Sequence, residues 1–221
     1  MLHTCIDHLV VVAGTLAEGM EYVRQALGVE LEAGGEHPRM GTHNCLLRLG
    51  DGLFLEVIAV NPGAPPPDRP RWFWLDSLDH DASPRLATWV VRTNDIHAVV
   101  AASPIALGTI EPMTRGQLNW LITIPGDGSL PLNGVAPTCI EWQAQQSHPA
   151  SRLQNRGCSL LRLEAYHTEA QPINDMLTLV GFQGPFAAIP LAADAQPCLI
   201  AHIQTPAGLR QLGLPLGDIG S

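Results

Sequence analysis

The chain contains the same pattern twice, and this repeat restricts the folds that it can adopt. The first copy reads EHPRMGTHNCLLRLGDG over residues 36–52, and the second reads IEPMTRGQLNWLITIPGDG over residues 110–128. In each copy a Gly is followed three residues later by an Asn, then by an apolar stretch and a closing Gly-Asp-Gly. Asp-Gly pairs are typical of turns between neighbouring strands. The repeat therefore predicts two similar units that are rich in strands.

The segments that precede the two copies complete the same order of elements. Before the first copy, IDHLVVV predicts a buried strand, and Thr15 and Glu18 form a capping box at the start of a helix. Gly28 is placed to end that helix. Before the second copy, LATWVVR predicts a strand and NDIHAVVAAS predicts a short helix. Apolar strands, LFLEVIAV and TCIEWQA, follow the two copies.

The sequence therefore predicts an α+β fold built from tandem βαβββ modules. Residues 4–61 and 84–145 form the two modules, which we expect to make a curved mixed sheet with a cleft. Residues 62–83, rich in Pro and Trp, predict a linker loop. A partial third βαββ module is expected over residues 156–214, where CSLLRLEAYH and CLIAHIQTP predict strands and PINDMLTLVG predicts a helix.

The strand LFLEVIAV is apolar except for one carboxylate, Glu56. Alternation of side chains along a strand directs His8 and Glu56 into the cleft, and Glu141 is placed by the repeat at the matching position of the second module. A buried carboxylate needs a metal ion, a partner or a substrate to compensate its charge. One imidazole and two carboxylates are ligands that divalent cations accept. We therefore expect His8, Glu56 and Glu141 to converge as metal ligands.

Candidate substrate contacts lie in both copies of the repeat and in the linker. His43 and Asn44 follow the Gly turn of the first copy, and Trp120 lies on the strand of the second. Arg115 is either a clamp for a substrate carboxylate or a surface side chain. Trp72, in the segment RPRWFWLD, either roofs an apolar pocket or fills the space between modules.

The other histidines are interpreted mainly as structural or solvated. His37 lies before the Gly turn and either reaches over the cleft as a proton shuttle or alternative ligand, or is a solvated loop side chain, which is the favoured interpretation. His148, His167 and His202 belong to the third module or to the segment that leads into it, and they are interpreted as structural.

The residues of the repeat resemble those of a known superfamily. A tandem βαβββ repeat with IDHLVVV at the start of the first module and FLEVIAV at its end is similar to the vicinal oxygen chelate superfamily. That superfamily includes glyoxalase I, extradiol dioxygenases, fosfomycin-resistance proteins and bleomycin-binding proteins. Within it, GGEHPRMGTHNCLLRLGDGLFLEVIAVNP and LATWVVRTNDI resemble the glyoxalase-like domain proteins. Metal-dependent members take ligands from the first and last strand of each module, which implies His8, Glu56 and Glu141 and places Thr88, a poor ligand, at the fourth position.

The resemblance implies a small-molecule enzyme with a divalent ion (Zn, Ni, Mn or Fe) in the cleft. The ion would bind two adjacent oxygens of the substrate and stabilise an enediolate. Glu141 or Glu56 would act as general base in a reaction of the lyase or isomerase type. The alternative is a metal-free binding protein, like the bleomycin-binding members, that holds an aromatic compound without turnover. Thr88 favours this alternative, because it leaves the set of four ligands incomplete.

Charge and composition argue against several other classes of protein. The chain has 21 acidic and 12 basic residues and a net charge of −9, so nucleic acid and anionic membrane surfaces are not the expected partners. No apolar run approaches the ~20 residues that cross a bilayer, and we see no secretory signal. The five Cys lie in or beside apolar runs, as reduced thiols do. We therefore expect a cytoplasmic protein with a small-molecule ligand, no nucleotide cofactor, and a homodimer as a candidate assembly.

Overall fold

The computed structural model describes residues 2–79, 81–143 and 147–213, and its elements follow the predicted order. The first module contains β1 (Thr4–Val12), α1 (Leu16–Leu27), β2 (Glu32–His37), β3 (Thr42–Arg48) and β4 (Phe54–Val60). The second contains β5 (Arg85–Thr93), α2 (Ile96–Ala102), β6 (Thr109–Arg115), β7 (Leu118–Ile124) and β8 (Thr138–Trp142). The rest comprises β9 (Ser159–His167), α3 (Ala170–Leu179), β10 (Phe182–Gln183), β11 (Phe186–Pro190), β12 (Cys198–Thr205) and β13 (Gly208–Leu212). The predicted ends of the second and third modules, at residues 145 and 214, lie outside the described residues.

The limits of the first two helices are set by the residues that the sequence suggested. The Thr15 side chain accepts a hydrogen bond from the Glu18 backbone N–H, and the Glu18 carboxylate accepts one from the Thr15 N–H. Gly28 ends α1 with a φ of 69°, a conformation that glycine adopts without strain. Asp95 caps α2 by accepting from the Ala98 N–H.

A large mixed sheet dominates the fold and confirms the predicted α+β architecture. Its strand order is β2-β3-β4-β1-β5-β8-β7-β6, and the short β10 also pairs with β1. At the centre β1 and β5 are antiparallel, whereas β4 runs parallel to β1 and β8 runs parallel to β5. Both helices α1 and α2 pack on one face, where Val23 and Val99 join a large apolar cluster with Leu9 and Trp89. The other face of the curled sheet lines the cleft.

The C-terminal part forms a separate four-stranded sheet on the helix side of the large one. Its order is β11-β9-β12-β13. Leu163 and Leu199 from this sheet and Ile173 from α3 belong to the same buried cluster as Leu86 and Trp89 of β5. The third unit therefore contributes to the common core.

Each of the two central strands contains a β-bulge, a single extra residue that shifts the register. On β1 the shift occurs between Ile6 and His8 and leaves Asp7 as the extra residue, and on β5 it leaves Ala87 just before Thr88. Strict alternation would place Ile6 and His8 on one face. Instead Ile6 packs under the helices, whereas Asp7 and His8 both point into the cleft.

Ion pairs draw the two edges of the large sheet together. Arg39, in the turn after β2, lies 2.6 Å from a Glu111 carboxylate oxygen on β6 and donates a second hydrogen bond to the Pro112 carbonyl. Arg69 from the linker lies 3.1 Å from the other Glu111 oxygen. The sheet is therefore curled until its edge strands face each other across the cleft.

Two smaller features bear on the expectations from composition. None of the described helices is long and apolar enough to cross a membrane. The five Cys are free thiols, and Cys45, Cys139 and Cys158 are buried. Burial raises the pKa of the Cys139 thiol to about 12, so this side chain behaves as an apolar core residue.

Candidate functional site

A pocket lies on the concave face of the curled sheet, between the two modules. It encloses a cavity of about 30 Å³, enough for about two water molecules. Both modules and the turn that follows the second one supply its walls. The lining residues are His8, His37, Asn44, Phe54, Glu56, Trp72, Phe73, Arg115, Trp120, Ile122, Ile140, Trp142 and Pro149. The structure thus brings together most of the residues that the sequence singled out, namely His8, Asn44, Glu56, Trp72, Arg115 and Trp120.

Glu141 does not join this group, which corrects the prediction that it is a metal ligand or general base. Along β8, Ile140 and Trp142 line the pocket, so side-chain alternation turns Glu141 to the helix face. There one carboxylate oxygen accepts a hydrogen bond of 2.7 Å from the Ile96 N–H. Ile96 is the first residue of α2, and the carboxylate therefore binds one of the free N–H groups of a helix N-terminus.

His43 does not line the pocket, which corrects the prediction that it contacts a substrate. His37 lines the pocket instead. Asn44 lines the pocket from β3, so the adjacent His43 points to the opposite face. His37 is not a solvated loop residue: it ends β2, pairs with Thr42 of β3 and is only 7% exposed. Sequence patterns did not reveal this, because the segment EAGGEH has no apolar alternation to predict a strand.

Asp7, which the sequence analysis did not single out, is the most connected polar residue of the site. It is fully buried, and one carboxylate oxygen lies 2.6 Å from Nδ1 of His8. The other oxygen accepts hydrogen bonds from Nε2 of His148 at 2.9 Å and from the indole N–H of Trp142 at 3.0 Å. Burial by itself raises the pKa of Asp7, but the hydrogen bonds and charges of His148 and His8 outweigh it and hold the pKa well below its usual range.

The same signal that drew attention to Glu56, an acid within an apolar strand, was present at Asp7. It was missed because strict alternation assigned Asp7 to the helix side of the sheet, and the bulge reverses that assignment. His148 was interpreted as structural because it lies in the segment that leads into the partial third module, and the contact with Asp7 spans 141 positions of the sequence.

The ionised Asp7 determines which nitrogen of His8 faces the pocket. A carboxylate only accepts hydrogen bonds, so Nδ1 of His8 carries a proton and Nε2 is directed into the pocket. Nε2 lies 3.6 Å from Oε2 of Glu56. The imidazole also stacks on Phe54, with ring centroids 4.5 Å apart and planes at 14°. Packing and a buried hydrogen bond therefore fix both the position and the tautomer of His8.

A chain of hydrogen bonds orients the Glu56 carboxylate. Its Oε1 accepts from the amide nitrogen of Asn44 at 2.5 Å, and the Asn44 amide oxygen accepts from the Gly35 N–H at 2.8 Å. This close approach of β2 requires glycine, because a Cβ on Gly34 would lie 2.0 Å from the Asn44 oxygen. The Gly-Gly pair thereby fixes the orientation of the Asn44 amide, which donates to Glu56.

Arg115 carries a positive charge into the pocket from the end of β6. One of its terminal nitrogens lies 3.2 Å from Nε2 of His37 and 3.5 Å from the Asn44 amide oxygen. Burial lowers the pKa of Arg115, and the negative charge of Glu56 opposes that shift. Because a guanidinium only donates, His37 accepts through Nε2. Burial, followed by the charges of Arg115, His8 and His43, lowers the pKa of His37 to about 3, so His37 is neutral.

Aromatic side chains form much of the pocket wall. Trp72 and Phe73 of the linker are each 4% exposed, whereas the next residue, Trp74, is 43% exposed and lies outside the pocket. Trp120 and Trp142 pack against each other on the opposite wall, with centroids 5.3 Å apart. Trp72 and Phe73 therefore form part of the wall of this pocket.

Comparison with known protein families identifies a match over most of the chain. A model of the family described as "Glyoxalase-like domain" matches residues 6–180. The chain belongs to the glyoxalase-like domain family. No match was found among curated proteins.

The solved structures that match this glyoxalase-like domain have low sequence identity to it. A hypothetical protein from Staphylococcus aureus is 14% identical, with a TM-score of 0.53 over 95% of this chain and 84% of that chain. Methylmalonyl-CoA epimerase from Mycobacterium tuberculosis is 15% identical, with a TM-score of 0.40 over 62% of this chain and 85% of that one. A mutant of 4-hydroxymandelate synthase from Streptomyces coelicolor is 14% identical, with a TM-score of 0.47 over 96% and 63%. The likeness to the Staphylococcus aureus protein concerns the fold alone.

The side chains of this glyoxalase-like domain do not fit a divalent ion of the expected kind. Only His8 and Glu56 of the expected ligands meet, and in the parts of the chain that the structure describes no three His, Cys, Asp or Glu side chains are grouped to hold a metal. Thr88, at the fourth position, is fully buried and donates to a backbone carbonyl. The Arg115 guanidinium supplies a positive charge beside Glu56 where an ion would bring its own.

Proposed function

We propose that this protein catalyses proton transfer at a carbon next to the carbonyl group of a small neutral molecule, without a divalent metal ion. The reaction is of the lyase or isomerase type. The observation that carries the proposal is the buried Asp7–His8 hydrogen bond, which leaves Nε2 of His8 facing both Glu56 and the pocket. A buried acid that orients an imidazole is a recurrent arrangement for general base catalysis.

In the proposed reaction His8 and Glu56 act together on the proton. Nε2 of His8 accepts a proton from the substrate carbon, and the electron pair of the C–H bond moves towards the carbonyl oxygen to form an enolate or enediolate. The negative charges of Asp7 and Glu56 stabilise the imidazolium that results. Glu56 lies close enough to receive the proton from His8 and return it to the same or a neighbouring carbon.

Arg115 has the role that the metal was expected to have. The enolate oxygen carries a negative charge, and a guanidinium fixed beside it stabilises that charge in a pocket with little water. Arg115 has five N–H donors, more than His37 and Asn44 use. The aromatic walls limit access of water to the intermediate.

A binding protein without turnover is the second candidate, and the aromatic lining favours it. Phe54, Trp72, Phe73, Trp120 and Trp142 surround the cavity and offer faces for stacking with an aromatic ligand. In that case Arg115 would contribute only to affinity. Binding with no proton transfer distinguishes this candidate from the enzyme.

Deuterium exchange separates the two candidates. The protein, treated with EDTA and desalted, is incubated in D₂O with hydroxyacetone or 2-hydroxyacetophenone, and loss of the CH₂ signal is followed by ¹H NMR. Exchange faster than in buffer supports the enzyme, and binding of either compound without exchange supports the binding protein. Exchange that appears only after Zn²⁺, Ni²⁺, Mn²⁺ or Fe²⁺ is added back overturns the metal-free mechanism.

The two glutamates provide a matched pair of variants for the same assay. We expect Glu56→Gln to slow exchange by about 10²-fold or more, the usual scale of general acid–base effects. Glu141→Gln makes the same chemical change on the other face of the sheet and should leave the rate unaltered. An equal loss in both variants would contradict the placement of the site.

A further inference from the structure

We propose that the substrate carries an uncharged apolar chain on its carbonyl group, and that this chain lies in a groove just outside the pocket. The inference rests on the proposed function, because it assumes that the carbonyl group is bound at Arg115. The groove has a volume of about 530 Å³ and lies between β2, the turn that joins β6 to β7, and the turn at residues 149–152.

The difference in volume between the pocket and the groove is the first reason. The pocket cavity, at about 30 Å³, encloses only the reacting end of a molecule. The groove falls within the range of about 300–1,000 Å³ that is usual for small-molecule sites. Contacts that are remote from the reacting atoms commonly supply the binding energy that positions them. Here that energy has to come from the groove.

The two spaces share a wall at the residue that binds the carbonyl oxygen. Arg115 and Pro149 line both the pocket and the groove. Leu46 and Leu153 of the groove pack in one cluster with Phe54 of the pocket wall. A carbonyl oxygen at the Arg115 guanidinium therefore places one substituent beside His8 and Glu56 and directs the other into the groove.

The side chains of the groove select the kind of substituent. Leu46, Leu118, Leu153 and Pro149 give it an apolar floor. Its lining carries both signs of charge, Glu32 and Glu36 against Arg115 and Arg152, and Glu32 accepts a hydrogen bond from the Gln154 N–H. These charges balance, so they favour neither an anionic nor a cationic substituent. An uncharged apolar chain, in contrast, gains free energy on the leucine floor in proportion to the area that it buries.

Two ketones with the same reacting end test the groove. Hydroxyacetone and 1-hydroxyoctan-2-one both present a CH₂OH group next to the carbonyl, and they differ by five CH₂ groups. Because each buried CH₂ contributes ~0.8 kcal/mol, we expect kcat/KM for deuterium exchange to be about 30-fold or more higher for the longer ketone, which allows for partial burial. Equal values for the two ketones in the wild-type protein would overturn the inference.

Substitution of a groove residue on β2 gives a second test. Glu32 pairs with Leu46 across β2 and β3, so its side chain lies on the groove face, and Glu32→Trp fills part of the space. We expect this variant to bring the value for 1-hydroxyoctan-2-one close to that for hydroxyacetone. Glu30→Trp removes the same charge at an exposed position outside the groove, and it should keep the preference for the longer ketone. Circular dichroism verifies that both variants are folded.

Failure of the groove and failure of the proposed function give different results. If neither ketone exchanges, the proposed function is wrong, and titration calorimetry with 1-hydroxyoctan-2-one then tests the groove as a binding site. Binding that Glu32→Trp weakens at least tenfold and Glu30→Trp does not supports the groove. Exchange with no preference for chain length, or binding that both variants affect equally, rejects it.

Discussion

The bulges on β1 and β5 lie at corresponding points of the two modules but carry different side chains. In the first module the bulge presents Asp7 and His8, and in the second it presents Ala87 and Thr88. All four residues are buried. The backbone irregularity is therefore duplicated, whereas the acid and the imidazole are present in one half only.

The strands beside the bulges differ in the same way. On β4, Glu56 lies opposite Val10 of β1, and on β8 the residue opposite Val90 of β5 is Thr138. The second module instead supplies Arg115 and the wall around Trp120. The comparison teaches that a tandem repeat can keep its backbone geometry while its halves carry different groups, with the acid and the imidazole in one half and the guanidinium in the other.

The largest expected effect comes from replacing His8 at the first bulge, and the corresponding change at Thr88 of the second bulge is its control. His8→Gln should slow deuterium exchange of hydroxyacetone by about 10²–10⁴-fold, because it removes the proton acceptor. Thr88→Val, an isosteric change at the corresponding position, should alter the rate less than twofold. NMR exchange rates of the two variants measure this directly, and a comparable loss in both would remove the distinction between the modules.

The second bulge should not tolerate the acid of the first. Ala87 belongs to an apolar cluster with Val90 and Ile140. Ala87→Asp would bury a carboxylate without the three donors that surround Asp7, and we expect it to lower the free energy of unfolding by ~3 kcal/mol or more. Urea denaturation measures the change, with Ala87→Ser as the smaller, neutral control at ~1 kcal/mol. Wild-type stability in the Asp variant would mean that the two bulges are equivalent environments.

The pH dependence of stability should reveal the burial of His37, which joins the two modules through its contact with Arg115. The pKa of His37 is about 3 in the folded protein, below the unfolded value of ~6.5, so the fold favours the neutral form. Its contribution is complete above pH ~6.5 and is lost as the pH falls towards 3. Between pH 7 and pH 5 the wild type should lose ~2 kcal/mol more than His37→Gln.

Urea denaturation of both proteins at the two pH values gives this difference. Arg115→Met removes a positive charge that is a cause of the lowered pKa of His37 second to burial, so the loss between pH 7 and pH 5 should stay nearly the same as in the wild type and become smaller only near pH 3. An equal loss of unfolding free energy between the two pH values in the wild type and in His37→Gln would contradict a buried neutral imidazole.

The smallest effect is expected at Glu141, on the helix side of the second module. Glu141→Gln keeps an oxygen to accept from the Ile96 N–H but removes the negative charge at the start of α2. We expect a loss of ~1 kcal/mol or less in the free energy of unfolding. Thermal or urea denaturation measures it, and Glu141→Leu, which also removes the acceptor, should cost more. A rise in stability with Glu141→Gln would contradict the capping role.

Sequence patterns were sufficient for the features that depend on neighbouring residues. The helix caps at Thr15 and Gly28 and the order of strands in the repeat follow from local spacing. Asn44, Arg115 and Trp120 were found because the repeat places them near the turn or on the strand that faces the cleft.

The features that were missed depend on register and on distant contacts. The match of LEV with IEW assigned to Glu141 the position in the second module that Glu56 has in the first. The pairing of β8 with β5 gives that position to Thr138, three residues earlier. An odd offset along a strand reverses the face of every side chain. The bulge at Asp7 changes the alternation by one residue for the same reason, and no local pattern announces it.

The hydrogen bond between His148 and Asp7 has a consequence for recombination of such modules. His148 and the adjacent Pro149 follow the last strand of the large sheet, yet one completes the donors of Asp7 and the other lines the pocket. A gene fragment that ends with β8 would encode every strand of that sheet, apart from the short β10, and still leave the aspartate short of a donor. Duplication of the module alone does not complete this pocket, since the connector beyond the repeat supplies part of it.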